Sequence, residues 1–230
     1  VLDPGETWTW VLSSGAIVAN TTYTAIGHGT DPLGTDITYP DDQDERDLVL
    51  VEVVLPLEIR KTAETSFNRE WRWTIDKSAD RTNLLLAEGE SFTVNYDVTV
   101  NASSADINHM VSGTITIVNP VSNPPALITS VTDVLNISGP TVVICVPPLP
   151  VLLPPGGALV CTYSAPVVGP VDSENTVRVE TEGGVPPGGV AMAPVVWGAP
   201  SSEIDECINV SDTNDTDGIL PDTICANEVL

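Results

Sequence analysis

The stretch SDTNDTDGILPD sets Asp212, Asn214, Asp215, Asp217 and Asp222 around a glycine. Closely spaced carboxylate and amide oxygens are the ligands Ca2+ takes. The register is not that of an EF-hand, because Ile224 stands where the closing Glu would be. A second oxygen-rich group, Asp36, Asp41, Asp42 and Asp44, lies in DPLGTDITYPDDQDERD. Solvated Asx turns are the alternative use of both stretches. Calcium is therefore the one cofactor these residues suggest.

Other reactive side chains are sparse. Four cysteines fall into two local pairs, Cys145 with Cys161 and Cys207 with Cys225, and none has the close spacing of a zinc site. We read them as disulfides across neighbouring strands. Each would close a loop of about 16 to 18 residues and contribute on the order of 3 kcal/mol. The alternative is buried free thiols. Disulfides place the chain in an oxidising, extracellular setting, and the sequons at Asn20, Asn101, Asn136, Asn209 and Asn214 fit secretion with glycosylation. Lys61 and Lys77 are the only lysines. An intramolecular crosslink from Lys to Asn or Asp would have to use one of them, although no motif specifies it. Hydrolase, metalloprotease and phosphate-loop motifs are missing, and the two histidines, His28 and His109, stand apart from any nucleophile. The chain reads as a non-enzyme.

Trp8 with Trp10, and Trp71 with Trp73, lie two apart and so share a strand face. They suit packing in a core or a subunit joint, or, as the alternative, stacking on sugars. The net charge of -24 opposes binding to nucleic acid or an anionic membrane surface. Six basic residues (Arg60, Lys61, Arg69, Arg72, Lys77, Arg81) crowd one stretch between acidic clusters. That segregation suits end-to-end contact between subunits, or simply a solvated acidic surface. No apolar run is long enough for a membrane helix.

The elements that position these groups are strands. Period-two alternation recurs in ETWTWVL, TTYTAIG, DLVLVEVVL, REWRWTID, ESFTVNYDVTVN, MVSGTITIVNP, LITSVTDVL, TVVIC, ALVCTYSAPV and NTVRVET, punctuated by Pro, Gly, Asn and Asp. This predicts antiparallel β-sandwiches. EGGVPPGGVA (Glu182 to Ala191) reads as a flexible hairpin or linker.

The chain also repeats itself. VLDPGETWTWVLSS aligns with LLPPGGALVCTYSA, and ANTTYTAIGHG with ENTVRVETEGG, so Asn20 corresponds to Asn175. The segment before the second copy, with its Val-x-Asp turn (Val131 to Asp133) and Ile-Cys at Cys145, finds its counterpart at the far end of the chain. There Val210 to Asp212 and Cys225 occupy the same places. Joined as a circle, the tail runs into the head. Residues 57–201 are then one complete sandwich, residues 1–56 the C-terminal part of another, and residues 202–230 the N-terminal strands of the next. A half sandwich exposes apolar faces and strand edges. It can be completed within one chain, by the neighbouring subunit, or by the next period of a longer polypeptide.

Several motifs resemble the Ig-like repeat domains of long prokaryotic surface and secreted proteins. They are Trp73-x-Ile75-x-Lys77, Gly89 to Val100, Val111 to Pro120, Cys161 to Ser164 and Leu2 to Glu6. The resemblance implies Ig-like sandwiches in a fibre, stalk or adhesin. We expect a structural subunit or repeat of an extracellular filament, its partners being identical subunits joined head to tail by strand complementation. The expected joint residues are Val1, Leu2, Trp8, Trp10, Ile224, Val229 and Leu230. The alternative is an adhesin-type module that binds glycan or protein, with or without calcium.

Overall fold

The computed structural model describes residues 5–40, 43–215, 218–220 and 222–229. It is all-β, with sheets that are antiparallel apart from one edge pairing. In the head, β1 (Thr21–Ile26), β2 (His28–Thr30), β3 (Asp36–Thr38) and β4 (Arg46–Val51) make two separate two-stranded sheets, β1 with β4 and β2 with β3. The middle supplies β5 (Glu58–Lys61), β6 (Glu64–Ala79), β7 (Tyr96–Val118), β8 (Ala126–Leu135), β9 (Gly139–Pro140), β10 (Val142–Val146), β11 (Val151–Leu153), β12 (Ala158–Pro166), β13 (Ser173–Thr181) and β14 (Gly189–Val195). The tail adds β15 (Ser202–Ile204), β16 (Cys207–Asn209), β17 (Thr223–Cys225) and a single helical turn, α1 (Ala226–Val229).

Two sheets of the middle region share one core. The first runs β10, β12, β7, then β5 and β6 one after the other along the same edge of β7, then β15. The second runs β8, β13, β14, with β11 and β9 both on the free edge of β8. Sequence alternation becomes alternation of burial. Along β12, Leu159, Cys161, Tyr163 and Ala165 point inward while Val160, Thr162 and Ser164 stay outside. Ile115, Ile117, Ile128, Leu135 and Leu159 are fully buried, each contributing about 1.5–3 kcal/mol by removal from water. The core begins at Leu57 and takes in Val195, with Trp197 packed against it. His109 closes one end, stacked on Phe67 at 5.4 Å and edge-on to Trp197 at 5.5 Å.

Gly113 is required by close approach. Between β5 and β6 the chain passes over Gly113, where a Cβ would lie 2.2 Å from the Thr62 carbonyl oxygen and 2.8 Å from the Tyr163 hydroxyl. That contact lets Tyr163 donate to the Thr62 carbonyl at 2.6 Å and seats the end of β5 over the core. Beyond a register shift at Ser66/Asn68, β6 and β7 continue as a long ribbon from Asn68/Ile107 to Ala79/Tyr96.

One sequence expectation needs correction. ETWTWVL does not form a strand: residues 6–18 carry no regular structure, because alternation makes a strand only where a neighbour is present to pair with it. Of the two readings of Glu182 to Ala191, the structure shows the hairpin: it is the turn between β13 and β14 with the first residues of β14.

Candidate assembly interface

The head has no core. Among the described residues before Leu57, not one side chain is buried. Trp8 and Trp10 are 61% and 79% exposed, and Leu48, Val49 and Leu50, which alternate between the two faces of β4, are all exposed. A two-stranded sheet is marginal on its own, so this region presents both apolar faces and free strand edges. It is anchored at its exit: Asn123 accepts the Leu55 N–H and donates to the Leu55 carbonyl, both at 2.8 Å. Asn20 accepts the Val53 N–H at 2.8 Å.

The tail is held by its own chain. β15 runs parallel to β6, with Ser202 opposite Asn68. The Trp71 indole donates to the Glu203 carboxylate at 2.6 Å, and the Trp73 indole to the Asp205 carbonyl at 2.8 Å. The second tryptophan pair therefore fixes the tail on the ribbon. Lys77 Nζ donates to Asp212 Oδ2, and Val210 and Ala226 are buried. The disulfide Cys207–Cys225 joins directly opposed residues of β16 and β17, as Cys145–Cys161 does for β10 and β12. Both expected pairings are thus present. Among the described residues, no head strand pairs with a tail strand.

The oxygen-rich tail loop spends its carboxylates on the protein. Asp212 binds Lys77 and, through Oδ1, the Asn214 N–H; Asp215 accepts from the Ile219 and Leu220 N–H groups. Asp217 lies outside the described residues, as do Asp41, Asp42, Val1, Leu2, Leu230 and the side chain of Val229. Among the described residues, no three His, Cys, Asp or Glu side chains converge as a metal site would require. Asp222 is exposed, Ile224 half-buried, and Asp36 sits 3.2 Å from His28 Nε2. All five sequon asparagines, Asn20, Asn101, Asn136, Asn209 and Asn214, are exposed.

The clustered basic residues find partners close by. Arg69 holds Asp106 through two bonds of 2.8 and 3.1 Å, and Lys77 reaches across to the tail. The Lys77 hydrogen bond, followed by the Asn214 N–H, holds the Asp212 carboxyl below its ordinary pKa. A group whose pKa is lowered by docking supports the docked form above its free pKa, about 3.9. That support fades as pH falls through the lowered value. We expect the tail hairpin to loosen at acid pH, and Asp212→Asn to reproduce the effect at neutral pH. The readout is proteolysis within residues 203–230, faster by about two- to fivefold given the partly exposed pair.

A further polar cluster lies inside the sandwich, assembled from residues far apart in the sequence. Asp133 on β8 is fully enclosed. Its Oδ1 lies 2.5 Å from Lys61 Nζ, while its Oδ2 accepts from Thr141 Oγ1 at 2.7 Å and from Asn175 Nδ2 at 3.0 Å. The side chains of Lys61 and Asp133 have no exposed surface, and Asn175 is 0% exposed. The tail's partners Glu203 and Asp205 were missed. In the cluster, Lys61 carried a signal as one of the two lysines a crosslink would have to use, Asp133 as part of the repeated Val-x-Asp turn, and Asn175 as part of the repeated Asn-Thr.

No protein-family model, no curated protein and no solved structure matches this chain. Among the described residues, no helix is long and apolar enough to cross a membrane.

Proposed function

We propose that the chain is a structural unit of an extracellular filament or surface fibre, its Ig-like sandwiches joined head to tail by β-strand complementation. Residues 202–230 of one unit, held on their own ribbon, would offer the β16–β17 hairpin to residues 1–56 of the next. The carrying observation is the head: a β-rich, apolar segment in which no described side chain is buried. Such a surface is costly in water unless something covers it. The sequence repeat says what should cover it, because tail and head together reproduce the order of motifs in the middle sandwich. The disulfides, the exposed sequons and the acidic surface suit an extracellular location. The same joint serves separate subunits or successive periods of one longer polypeptide.

The exposure of Trp8 and Trp10 also suits the second reading, an adhesin-type face for glycan or protein. Negative-stain electron microscopy of the purified chain separates the two. Filaments with a regular axial repeat are expected, together with their loss when residues 203–230 are removed. Discrete particles at high concentration that still bind a ligand would favour the adhesin.

A further inference from the structure

The enclosed cluster in the sandwich has the composition and geometry of a self-crosslinking site. We propose that Lys61 and Asn175 join through an amide between Lys61 Nζ and Asn175 Cγ, with Asp133 moving the protons.

The two nitrogens that must exchange places sit on the two oxygens of one carboxylate, Nζ at 2.5 Å from Oδ1 and Nδ2 at 3.0 Å from Oδ2. Tyr163 lies against both: Nζ is 3.6 Å from its ring centroid, and burial raises the phenol's pKa, an effect opposed by the adjacent Asn175 amide. Asn175 Oδ1 has no hydrogen-bond partner although it is buried. An orphaned buried acceptor carries a cost that a purely structural asparagine would be expected to avoid. Burial also pushes the Lys61 ammonium towards its neutral form, against the pull of Asp133.

The chemistry closes on these residues alone. A proton passes from Nζ to Asp133, leaving a neutral amine and a carboxylic acid. The Nζ lone pair attacks Asn175 Cγ. The acid gives its proton to Nδ2 and takes one from Nζ, the Cγ–Nδ2 bond breaks, and ammonia departs as the carbonyl re-forms. One C–N bond forms and one breaks, and no oxidant or co-reactant is needed. Asp133 ends protonated beside a neutral amide, which removes a buried ion pair that is expensive to keep.

Lys61 ends β5 in one sheet and Asn175 lies on β13 in the other. The bond would tie the two sheets together and enclose residues 62–174. The test is the intact mass of the folded, purified full chain, followed by a tryptic map. The expected mass is lower than the sequence by one ammonia, beyond the hydrogens lost to the disulfides. A branched peptide should join Lys61 to Asn175, with no cleavage after Lys61. In Lys61→Arg the ammonia stays and Tm falls by roughly 10–20 °C, as loss of a link closing a loop of about 100 residues implies. An unmodified mass with Lys61 free in the folded wild-type chain would overturn the proposal, as would an ammonia loss mapping elsewhere. The wild-type measurement decides even where a variant fails to fold.

A second observation extends the inference to the joint, and this part rests on the head-to-tail reading. Lys77 repeats the Ile-x-Lys setting of Lys61, as Ile75-x-Lys77 against Ile59-x-Lys61. Asp212, the counterpart of Asp133, holds Lys77 in a partly exposed pair where Asp133 holds Lys61 in an enclosed one. The counterpart of Asn175 is Asn20, just before β1 and exposed, with its Oδ1 accepting from the Val53 N–H and its Nδ2 bonded to none of the described residues. Among the described residues of one chain, Asp212 meets Lys77 and the Asn214 backbone N–H but no asparagine side-chain amide donates to it; Asn20 of the next unit supplies one in a completed joint. We infer that the same ammonia-releasing amide links Lys77 to Asn20 of the neighbouring unit, which leaves that asparagine no place for a glycan. Filaments boiled in detergent and reductant should then run as a ladder of multiples, lost in Asn20→Ala and in Lys77→Arg. Filaments that dissolve into single chains would overturn the covalent joint and leave the filament standing. Failure to find filaments at all would remove both.

Discussion

Asp133→Ala should lower the melting temperature by about 6–20 °C. Asp133 accepts hydrogen bonds from Lys61, Thr141 and Asn175 inside a site with no solvent access. Removing it strands an ammonium and two polar groups. Breaking a buried pair in this way costs about 3–5 kcal/mol, and for a chain of this size each kcal/mol moves Tm by about 2–4 °C. Scanning calorimetry of Asp133→Ala beside Lys61→Met/Asp133→Leu separates the contributions. The double variant replaces both charges with apolar groups and should recover the part of the loss that came from the unpaired ammonium. Whatever it fails to recover is shared between the covalent bond and the hydrogen bonds that Thr141 and Asn175 lose with Asp133. An Asp133→Ala chain that melts within a degree or two of wild type would mean that the cluster is hydrated and contributes little.

Trp8→Glu/Trp10→Glu should abolish assembly while leaving the sandwich untouched. Neither indole is buried in the single chain, so the substitutions should change folding stability by no more than about 0.5 kcal/mol. In a completed joint, by contrast, two carboxylates would be carried into an apolar interface. Burying a charge without a partner costs several kcal/mol, and each 1.4 kcal/mol is about tenfold in affinity. Loss of filaments by more than about a hundredfold in critical concentration, at unchanged Tm, is therefore the expected result. Filaments that assemble normally would take Trp8 and Trp10 out of the joint and leave them as a ligand face.

How far the fold was legible depended on whether a residue's role was local. The strands of the middle sandwich could be read from alternation because inward and outward positions differ every second residue. ALVCTYSAPV became β12 with its burial in the expected phase. The disulfides were legible for the same reason: cross-strand cysteines sit at hairpin-like spacing, and the structure opposes them directly. ETWTWVL failed because an alternating pattern states which side would face a partner and says nothing about whether the partner is there. The tail's docking on the ribbon was out of reach as well. Glu203 and Asp205 lie more than a hundred positions from Trp71 and Trp73, and no local pattern records their meeting.

The sequence by itself determined that this is an all-β, acidic chain with two local cysteine pairs, and that short motifs at its two ends recur in its middle. These are properties of composition, period and spacing, and they survive without knowledge of any contact. Only the tertiary structure decided which of two lysines faces which aspartate, and that an asparagine on the strand beside Asp133 shares the carboxylate that a lysine reaches from the opposite sheet. Lys61, Asp133 and Asn175 come from three strands in two sheets. Their chemistry exists because sheet packing removes them together from water, and enclosure, not spacing, makes an amine, an acid and an amide a reactive set.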